Sequence, residues 1–248
     1  MIDHRDCLVV MPTGSGKSLI YQFMAVHLGR PNVVIVLSPL VSLMQDQVAS
    51  LKRLNIHATY LSSNHKGVNV VEKVKNSGFS LVYMSPEFFA GKNGAKIIKD
   101  LGKNFAALVI DEAHLIFSWG VWFRSAYRRI ASVQILAVTG TATRDVRTDF
   151  VKQLCMINPV IQLSNVDRPN LHFEVLLKAK NSELMKQIVK CLDFHCPRDN
   201  GCVTGKAIIY CRTIAETHQM ATYMEGQGLK KVGIYHAQLR NFRKRLTS

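Results

Sequence analysis

The sequence lacks any long hydrophobic run. No apolar stretch approaches the roughly 20 residues that a membrane-spanning helix needs. The first residues also lack the charged, apolar and small-residue segments of a signal peptide. These absences argue against a membrane-embedded or secreted protein. We therefore expect a soluble intracellular protein that does not bind membranes, nuclear in a eukaryote and otherwise cytoplasmic.

The sequence is also poor in acidic residues. It has 17 Asp and Glu against 32 Lys and Arg, which gives a net charge of +15. Such an excess favours a polyanionic partner, with nucleic acid first, and the alternative is a basic surface without a partner. Much of the positive charge lies in three groups: Lys92, Lys96, Lys99 and Lys103; Arg124, Arg128 and Arg129; and Arg240, Arg243, Lys244 and Arg245.

Closely spaced cysteine pairs are missing as well. The six cysteines form no C-x-x-C pair, and the spacing of His195, Cys196 and Cys202 matches no standard zinc pattern. We therefore expect reduced thiols, as in the cytosol or nucleus, rather than a structural metal.

The most informative segment that is present runs from Met11 to Ser18. The apolar stretch 7–10 before it predicts a buried strand, and apolar residues at helical spacing follow it. Strand, glycine-rich turn and helix is the context of a phosphate-binding loop, although Met11 stands where the motif usually has Gly. The alternative is a chance Gly/Ser turn. The residues predicted to hold the nucleotide are Thr13, Gly14, Ser15, Gly16, Lys17 and Ser18.

The residue types in this segment suit a nucleotide with Mg²⁺. Gly14 and Gly16 let the backbone bend, so that several N–H groups point inward at the positive end of the helix dipole. Lys17 adds a mobile positive charge for the β- and γ-phosphates, and the Ser18 hydroxyl can ligate Mg²⁺.

The rest of the chain alternates apolar runs with helical stretches. Runs that are apolar throughout predict a parallel sheet covered by helices on both faces, an α/β fold. The pattern breaks near 164–170, where Pro169 stops any helix, and then restarts. The predicted strands are 7–10, 33–37, 58–61, 80–84, 106–110 and 134–139 before the break, and 172–177, 207–211 and 232–235 after it. The predicted helices are 19–28, 40–54, 68–74, 95–101 and 145–154 before it, and 183–192 and 214–226 after it.

An acidic pair, Asp111 and Glu112, follows the predicted strand 106–110 directly. The carboxyl ends of strands form the edge where open α/β sheets bind ligands. There, Asp111 would hold Mg²⁺ and Glu112 would orient and deprotonate an attacking water. Taken alone, such a pair is more often a solvated strand end, but the phosphate-binding loop in the same sheet favours the catalytic interpretation.

With these motifs in order, the chain resembles the RecQ family of DEAH-type DNA helicases, in particular its Werner-like members. The resemblance covers nearly the whole chain, and several motifs in sequence are more specific than any one of them. It is carried by Met11–Ser18, Asp111–His114, Ser38–Val48, Tyr83–Glu87, Ala137–Thr143, Asp167–Leu171, Ile208–Cys211 and Tyr235–Ala237.

The resemblance implies an ATP-dependent 3′-to-5′ DNA helicase of repair and recombination, with ATP and Mg²⁺ as cofactors and single-stranded or forked DNA as partner. It implies a RecA-like ATP-binding lobe over 1–164 and a second, incomplete RecA-like lobe over 165–248. His114 would join the catalytic set and couple the acidic pair to the DNA site, although it could equally be a buried histidine with satisfied hydrogen bonds.

Further roles follow from the same resemblance. Thr139, Thr141 and Thr143 would link the nucleotide site to the DNA site through hydroxyl hydrogen bonds, and a strand followed by a helix N-cap is the alternative. Ser38, Pro39 and Leu40 would meet strand phosphates with hydroxyl and backbone N–H groups, and their alternative is a helix cap.

The aromatic-rich loop of the family corresponds to residues 118–124. Trp119 and Phe123 would stack on single-strand bases and Arg124 would pair with phosphate, against the alternative of a core cluster of Trp and Phe. Here Val121 and Trp122 replace the family's His and Asp. Since those polar groups help to transmit DNA binding, the coupling of DNA binding to ATP hydrolysis is expected to be weakened.

Other departures concern missing segments. The chain starts after the family's adenine-reading glutamine, is about a helix shorter over 127–134, and ends before the motifs that carry the arginine fingers. We therefore expect weak nucleotide binding and little unwinding by this chain. The alternatives are a non-catalytic module that holds nucleotide or single-stranded nucleic acid, and a related RNA helicase.

Overall fold

The computed structural model describes residues 5–63, 68–119, 133–165 and 169–236. Seven strands within these ranges form one parallel sheet in the order β3-β4-β2-β5-β6-β1-β7. The strands are β1 (Cys7–Val10), β2 (Val33–Leu37), β3 (Ala58–Leu61), β4 (Leu81–Met84), β5 (Phe105–Ile110), β6 (Gln134–Thr139) and β7 (Val160–Leu163). The helices that alternate with them are α1 (Lys17–Leu28), α2 (Val41–Arg53), α3 (Val68–Lys75), α4 (Pro86–Ala90), α5 (Lys92–Leu101) and α6 (Arg144–Gln153), with short 3₁₀ segments at Gly102–Asn104 and Ala113–Ser118.

The sheet is buried on both faces, as the continuous apolar runs predict. In β2 the side chains of Ile35 and Leu37 belong to one hydrophobic cluster, and those of Val34 and Val36 belong to another. Alternate residues of a strand point to opposite faces, so these two clusters are the two layers between sheet and helices. The predicted parallel α/β fold is thus confirmed.

The chain divides into two compact units, Met1–Asn170 and Leu171–Ser248. The first contains the whole seven-stranded sheet. The assignment of 1–164 and 165–248 to two helicase lobes stays a prediction.

In the second unit the predicted helices are confirmed and the predicted strands are not. Its elements are α7 (Asn181–His195), the strands β8 (Arg198–Asp199) and β9 (Cys202–Val203), which pair antiparallel, and α8 (Ile214–Gly226). The stretches 172–177, 207–211 and 232–235 have no strand assignment, and Phe173 and Tyr210 are each 91% exposed. A strand needs a hydrogen-bonded neighbour, and the described residues of this unit provide none for these stretches. The strands predicted over 172–177, 207–211 and 232–235 are therefore not formed in the described part of this unit, and its assignment as an incomplete RecA-like lobe stays a prediction.

One strand, β7, was not predicted from the sequence pattern. β7 is four residues long, pairs with β1 at the sheet edge, and keeps its side chains partly exposed. It follows directly on Asn158 and Pro159, which favour a turn. A strand this short shows no clear period, so its existence depends on the pairing with β1.

Within the described ranges, no helix is both long and apolar enough to span a membrane.

A carboxylate at the start of β1 holds three parts of the sheet together. Asp6 Oδ1 accepts a hydrogen bond of 2.9 Å from the N–H of Ile135, and Oδ2 accepts one of 3.1 Å from the N–H of Ile157. The Asp6 carbonyl also accepts from the N–H of Val160 at 2.8 Å. The Asp6 side chain therefore joins β6 and the turn before β7 to β1.

We predict that Asp6→Ala lowers the free energy of unfolding by about 1–3 kcal/mol, because two backbone N–H groups lose their acceptor. Urea denaturation followed by circular dichroism measures this change. Asp46→Ala is the matched control, since Asp46 is exposed on α2 and its loss is expected to cost less than about 0.5 kcal/mol. Equal effects of the two substitutions would contradict the assignment.

Candidate active site at the carboxyl edge of the sheet

The segment between β1 and α1 forms a tight loop that bends at its glycines. Gly14 and Gly16 have φ values of 86° and 85°, in the left-handed region that glycine adopts without steric cost. Ser15 closes the turn, with its N–H donating to the Pro12 carbonyl at 3.2 Å and its hydroxyl donating to the same oxygen at 2.6 Å. The loop therefore leads directly into the first turn of α1.

The start of α1 presents unused hydrogen-bond donors. Within the described residues, the backbone N–H groups of Gly16, Lys17 and Ser18 have no hydrogen-bond acceptor. The Lys17 side chain is only 8% exposed, and its Nζ donates to the carbonyls of Met11 at 3.2 Å and Pro12 at 3.3 Å. Free N–H groups at a helix N-terminus and a buried ammonium are groups that suit an anion.

Asp111 lies at the end of β5, close enough to the loop for the charge of Lys17 to act on it. The residue is 6% exposed. Its Oδ1 accepts from the N–H of Glu112 at 3.0 Å, and its Oδ2 accepts from the hydroxyl of Tyr21 at 3.3 Å. Burial raises the pKa of Asp111 above its ordinary value of 3.8, and the Glu112 carboxylate raises it further, while these two hydrogen bonds and Lys17 lower it. Burial also raises the pKa of Tyr21, which keeps its hydroxyl protonated as a donor.

A series of close polar contacts connects the acidic pair to β6. Glu112 has a left-handed backbone, with φ of 49°, and its Oε2 lies 3.3 Å from His114 Nδ1. The same Nδ1 lies 3.1 Å from the hydroxyl of Thr139, which is fully buried. The Thr139 hydroxyl also donates to the carbonyl of Thr141 at 3.1 Å. The ends of β5 and β6 are thereby connected through side chains.

The three threonines take different positions. Thr139 uses its hydroxyl as the centre of these contacts, while Thr141 takes part through its backbone. Thr143 caps α6, where its hydroxyl accepts from the N–H of Val146 at 3.4 Å. Among the described residues, Thr139 is therefore the threonine whose hydroxyl makes contacts of the predicted kind. The Thr143 hydroxyl instead caps a helix, as the alternative interpretation predicts.

Gly140 was not singled out from the sequence. A Cβ atom at this position would lie 3.2 Å from the Thr13 hydroxyl and 3.5 Å from Lys17 Nζ. The backbone after β6 therefore passes directly over the phosphate-binding loop, and the N–H of Met11 donates to the Thr139 carbonyl at 3.1 Å. The only sequence signal for this close approach was the glycine itself, inside the segment 137–143.

The predicted nucleic-acid residues are partly buried. Ser38 is 1% exposed, and within the described ranges its hydroxyl has no hydrogen-bond partner. Pro39 is half-buried, whereas Leu40 and the first residues of α2 are exposed. The surface that this segment offers to a ligand is therefore the start of α2 rather than the Ser38 hydroxyl.

Two further serines occupy equivalent positions. Ser62 and Ser85 follow β3 and β4 as Ser38 follows β2, and all three are buried. The Ser85 hydroxyl accepts from the N–H of Phe88 at 3.3 Å, while that of Ser62 has no partner in the described part of the chain. Sequence reasoning missed this row, because the register of three strands that helices separate along the chain brings it together.

Trp119 does not lie on the surface where a base could stack. It is 6% exposed and packs in the cluster that contains Phe150 and Ile116. This position matches the core-cluster alternative. An indole gains free energy from burial because its apolar surface is large and it has only one polar group, the N–H. Phe123 and Arg124 lie outside the described residues.

The donor set fits a hydrated Mg²⁺ with a nucleotide. Ser18 offers a hydroxyl at the first turn of α1, and Asp111 keeps a free lone pair on each oxygen after its two hydrogen bonds. Hard oxygen ligands in small number, completed by phosphates and water, are what Mg²⁺ takes. A cation here would also relieve the burial cost of the Asp111 charge.

Comparison with known proteins agrees with this geometry. Residues 1–149 match the DEAD/DEAH box helicase family. The chain belongs to that family, since the match covers more than half of it.

Two relatives give a finer comparison. The chain is 36% identical over 95% of its length to the RecQ-like DNA helicase BLM of Xenopus laevis. It is 33% identical over 96% of its length to the bifunctional 3′-5′ exonuclease/ATP-dependent helicase WRN of Mus musculus. The predicted resemblance to the RecQ family is confirmed. The chain spans only 18% and 17% of the lengths of these two proteins.

The fold also has counterparts among solved structures. The crystal structure of the DUF1998 helicase MrfA bound to DNA matches 95% of this chain and 37% of its own, with a TM-score of 0.70 and 16% sequence identity. This likeness supports the RecA-like class of the parallel sheet.

We predict that Asp111→Asn raises the thermal midpoint of the ligand-free protein by a few degrees at about pH 7. The raised pKa means that folded protein binds the Asp111 proton more tightly than unfolded protein does. The free energy of unfolding therefore falls as pH rises from 3.8 through the pKa that Asp111 has in the folded protein, and it stays lower above that pKa. Asparagine removes this penalty.

Differential scanning calorimetry across pH measures the difference. The gap between Asp111→Asn and wild type is expected to close below pH 3.8, and Asp149→Asn, on the exposed face of α6, is the control. A lower midpoint for Asp111→Asn at about pH 7 would show that the charged form stabilises the ligand-free fold, against this account.

Proposed function

We propose that the protein is an ATP-dependent DNA helicase of RecQ type, in which the unit Met1–Asn170 holds ATP with Mg²⁺. The observation that carries the proposal is the placement of a buried ammonium and a buried carboxylate, Lys17 and Asp111, at one edge of a parallel sheet. The 33–36% identity to RecQ-like helicases supports the choice within the DEAD/DEAH box family.

Nucleotide binding follows from the loop. The N–H groups of Gly16, Lys17 and Ser18 donate to phosphate oxygens, and the Lys17 ammonium exchanges its two carbonyl contacts for the β- and γ-phosphates. Asp111 and Ser18 would hold Mg²⁺, which neutralises charge on the phosphates when bound. Because Gly140 has no side chain, the backbone after β6 lies close to the loop, and the phosphates are held near Lys17.

Hydrolysis depends on Glu112. Its carboxylate orients a water and accepts its proton as the water attacks the γ-phosphate. His114 Nδ1 lies 3.3 Å from one oxygen of that carboxylate and 3.1 Å from the Thr139 hydroxyl, so the position of Glu112 depends on the contact that the same nitrogen makes with Thr139. Movement at the end of β6 would therefore change the position of the general base.

The site for the nucleic-acid strand lies beside the nucleotide site on the same edge. β2 and β5 are paired, and the N–H of Asp111 donates to the carbonyl of Leu37 at 3.0 Å. Ser38 and the exposed start of α2 therefore follow a residue bonded directly to Asp111. Single-stranded DNA, attracted by the net charge of +15, would cross this edge with its phosphates near the N-terminus of α2.

We predict that two substitutions separate nucleotide binding from turnover. Lys17→Ala weakens binding of a fluorescent ATP analogue at least about tenfold, because a charge-assisted contact is lost. Glu112→Gln leaves binding within about twofold and lowers DNA-stimulated ATP hydrolysis by about a hundredfold to ten-thousandfold. Fluorescence titration and a phosphate-release assay with single-stranded DNA measure the two effects.

Lys52→Ala, in the last turn of α2, controls for the loss of any one positive charge. If Lys17→Ala binds the analogue as wild type does, the site assignment fails. If the wild type binds nucleotide and DNA but releases no phosphate, the chain is a non-catalytic binding module, an outcome that its basic surplus also favours.

We further predict that the protein prefers single-stranded DNA to RNA and that its affinity falls steeply with salt. Each phosphate contact made by Lys or Arg releases a counterion, so log Kd rises with log salt concentration at about 0.7 per contact. Competition of unlabelled DNA and RNA of the same sequence against labelled DNA tests the preference. Tighter binding of RNA would favour a related RNA helicase instead.

A further inference from the structure

We propose that Tyr21 is a positioning residue for Asp111, which holds the carboxylate in the orientation that binds Mg²⁺. The inference rests on the proposed function, since it concerns the same nucleotide site.

The hydrogen bonds of Asp111 come from two different elements. The N–H of Glu112, directly after β5, donates to Oδ1 at 3.0 Å, and the hydroxyl of Tyr21 on α1 donates to Oδ2 at 3.3 Å. The Glu112 bond alone would leave the carboxylate free to turn about that contact. The Tyr21 bond fixes the second oxygen, and with it the plane in which the remaining lone pairs point.

Tyr21 is itself held firmly. Its side chain is fully buried, and its ring packs edge-to-face against Tyr83, with centroids 6.3 Å apart and planes at 77°. The phenol therefore approaches Asp111 from a fixed direction. A donor whose own position is set by packing can orient a metal ligand without losing much rotational freedom itself.

The position of Tyr21 on α1 also matters. It follows Lys17 by four residues, and both lie on the buried face of the helix with Ala25. Residues four apart on a helix lie one above the other. The helix that begins at the phosphate-binding loop therefore also carries the donor that orients Asp111, so phosphate binding and the Mg²⁺ ligand depend on one rigid element.

The experiment compares two buried tyrosines that touch each other. Tyr21→Phe removes the hydroxyl that bonds Asp111 and keeps the ring. Tyr83→Phe removes the hydroxyl of the neighbouring buried tyrosine, which makes no hydrogen bond to Asp111, and keeps its ring in the same aromatic pair. A fluorescent ATP analogue is titrated against each 248-residue variant, in EDTA and over a range of Mg²⁺ concentrations.

For Tyr21→Phe we expect the half-saturating Mg²⁺ concentration for analogue binding to rise at least about tenfold, the size found when such orienting partners are removed. Affinity in EDTA is expected to stay within about twofold of wild type, because Lys17 and the loop N–H groups are untouched. Tyr83→Phe is expected to match wild type in both conditions. Combining Tyr21→Phe with Asp111→Asn is expected to add nothing to the effect of Asp111→Asn.

The outcomes separate the inference from the function on which it rests. An unchanged Mg²⁺ requirement in Tyr21→Phe, with a clear requirement in wild type, overturns the role of Tyr21 and leaves the proposed function standing. A similar rise in both phenylalanine variants also overturns it, since packing would then be the cause. Wild-type binding that does not depend on Mg²⁺ or is absent counts against the proposed function itself.

Discussion

The burial of Asp111 beside the phosphate-binding loop is the interaction on which the rest of the site depends. A carboxylate that is almost out of water costs free energy unless hydrogen bonds and positive charge surround it. The N–H of Glu112, the hydroxyl of Tyr21 and the charge of Lys17 supply part of this compensation. Burial still raises the pKa of Asp111, so these contacts do not fully compensate the cost of burying its charge. A cation and the phosphates of a nucleotide would complete this compensation, so we expect the charged Asp111 to destabilise the fold until they bind.

The parallel sheet makes this arrangement possible. Its strands are apolar on both faces, so polar side chains collect where the strands end. The loop after β1, the acidic pair after β5 and Thr139 in β6 meet at that edge, although more than 90 residues separate the first from the others. Helix α1 then connects the loop to Asp111 through Tyr21, and the series of contacts from Glu112 through His114 connects β5 to β6. Asp111 and His114 are thus each held by a side chain from another element.

Sequence reasoning predicted the parts of this structure that depend on local pattern. The continuous apolar strands, the glycine bend before Lys17 and the carboxylates after β5 follow from spacing and residue type. It did not find Asp6, Gly140 or Tyr21, because their roles come from contacts between segments distant in the chain. It placed Trp119 on a nucleic-acid surface although the side chain is buried, since composition does not distinguish a stacking ring from a core ring. It also predicted strands over 172–177 and 207–211 from apolar runs that lack a pairing partner among the described residues.

We propose above all that a nucleotide phosphate, Lys17, Asp111 and the orienting hydroxyl of Tyr21 share one site. A crystal structure of the protein with a non-hydrolysable ATP analogue and Mg²⁺ tests it most directly. We expect phosphates on the N–H groups of residues 16–18, with Mg²⁺ between Ser18 and Asp111 and the Tyr21 hydrogen bond retained. An analogue bound elsewhere, or an Asp111 carboxylate turned away from both Tyr21 and the metal, would contradict it.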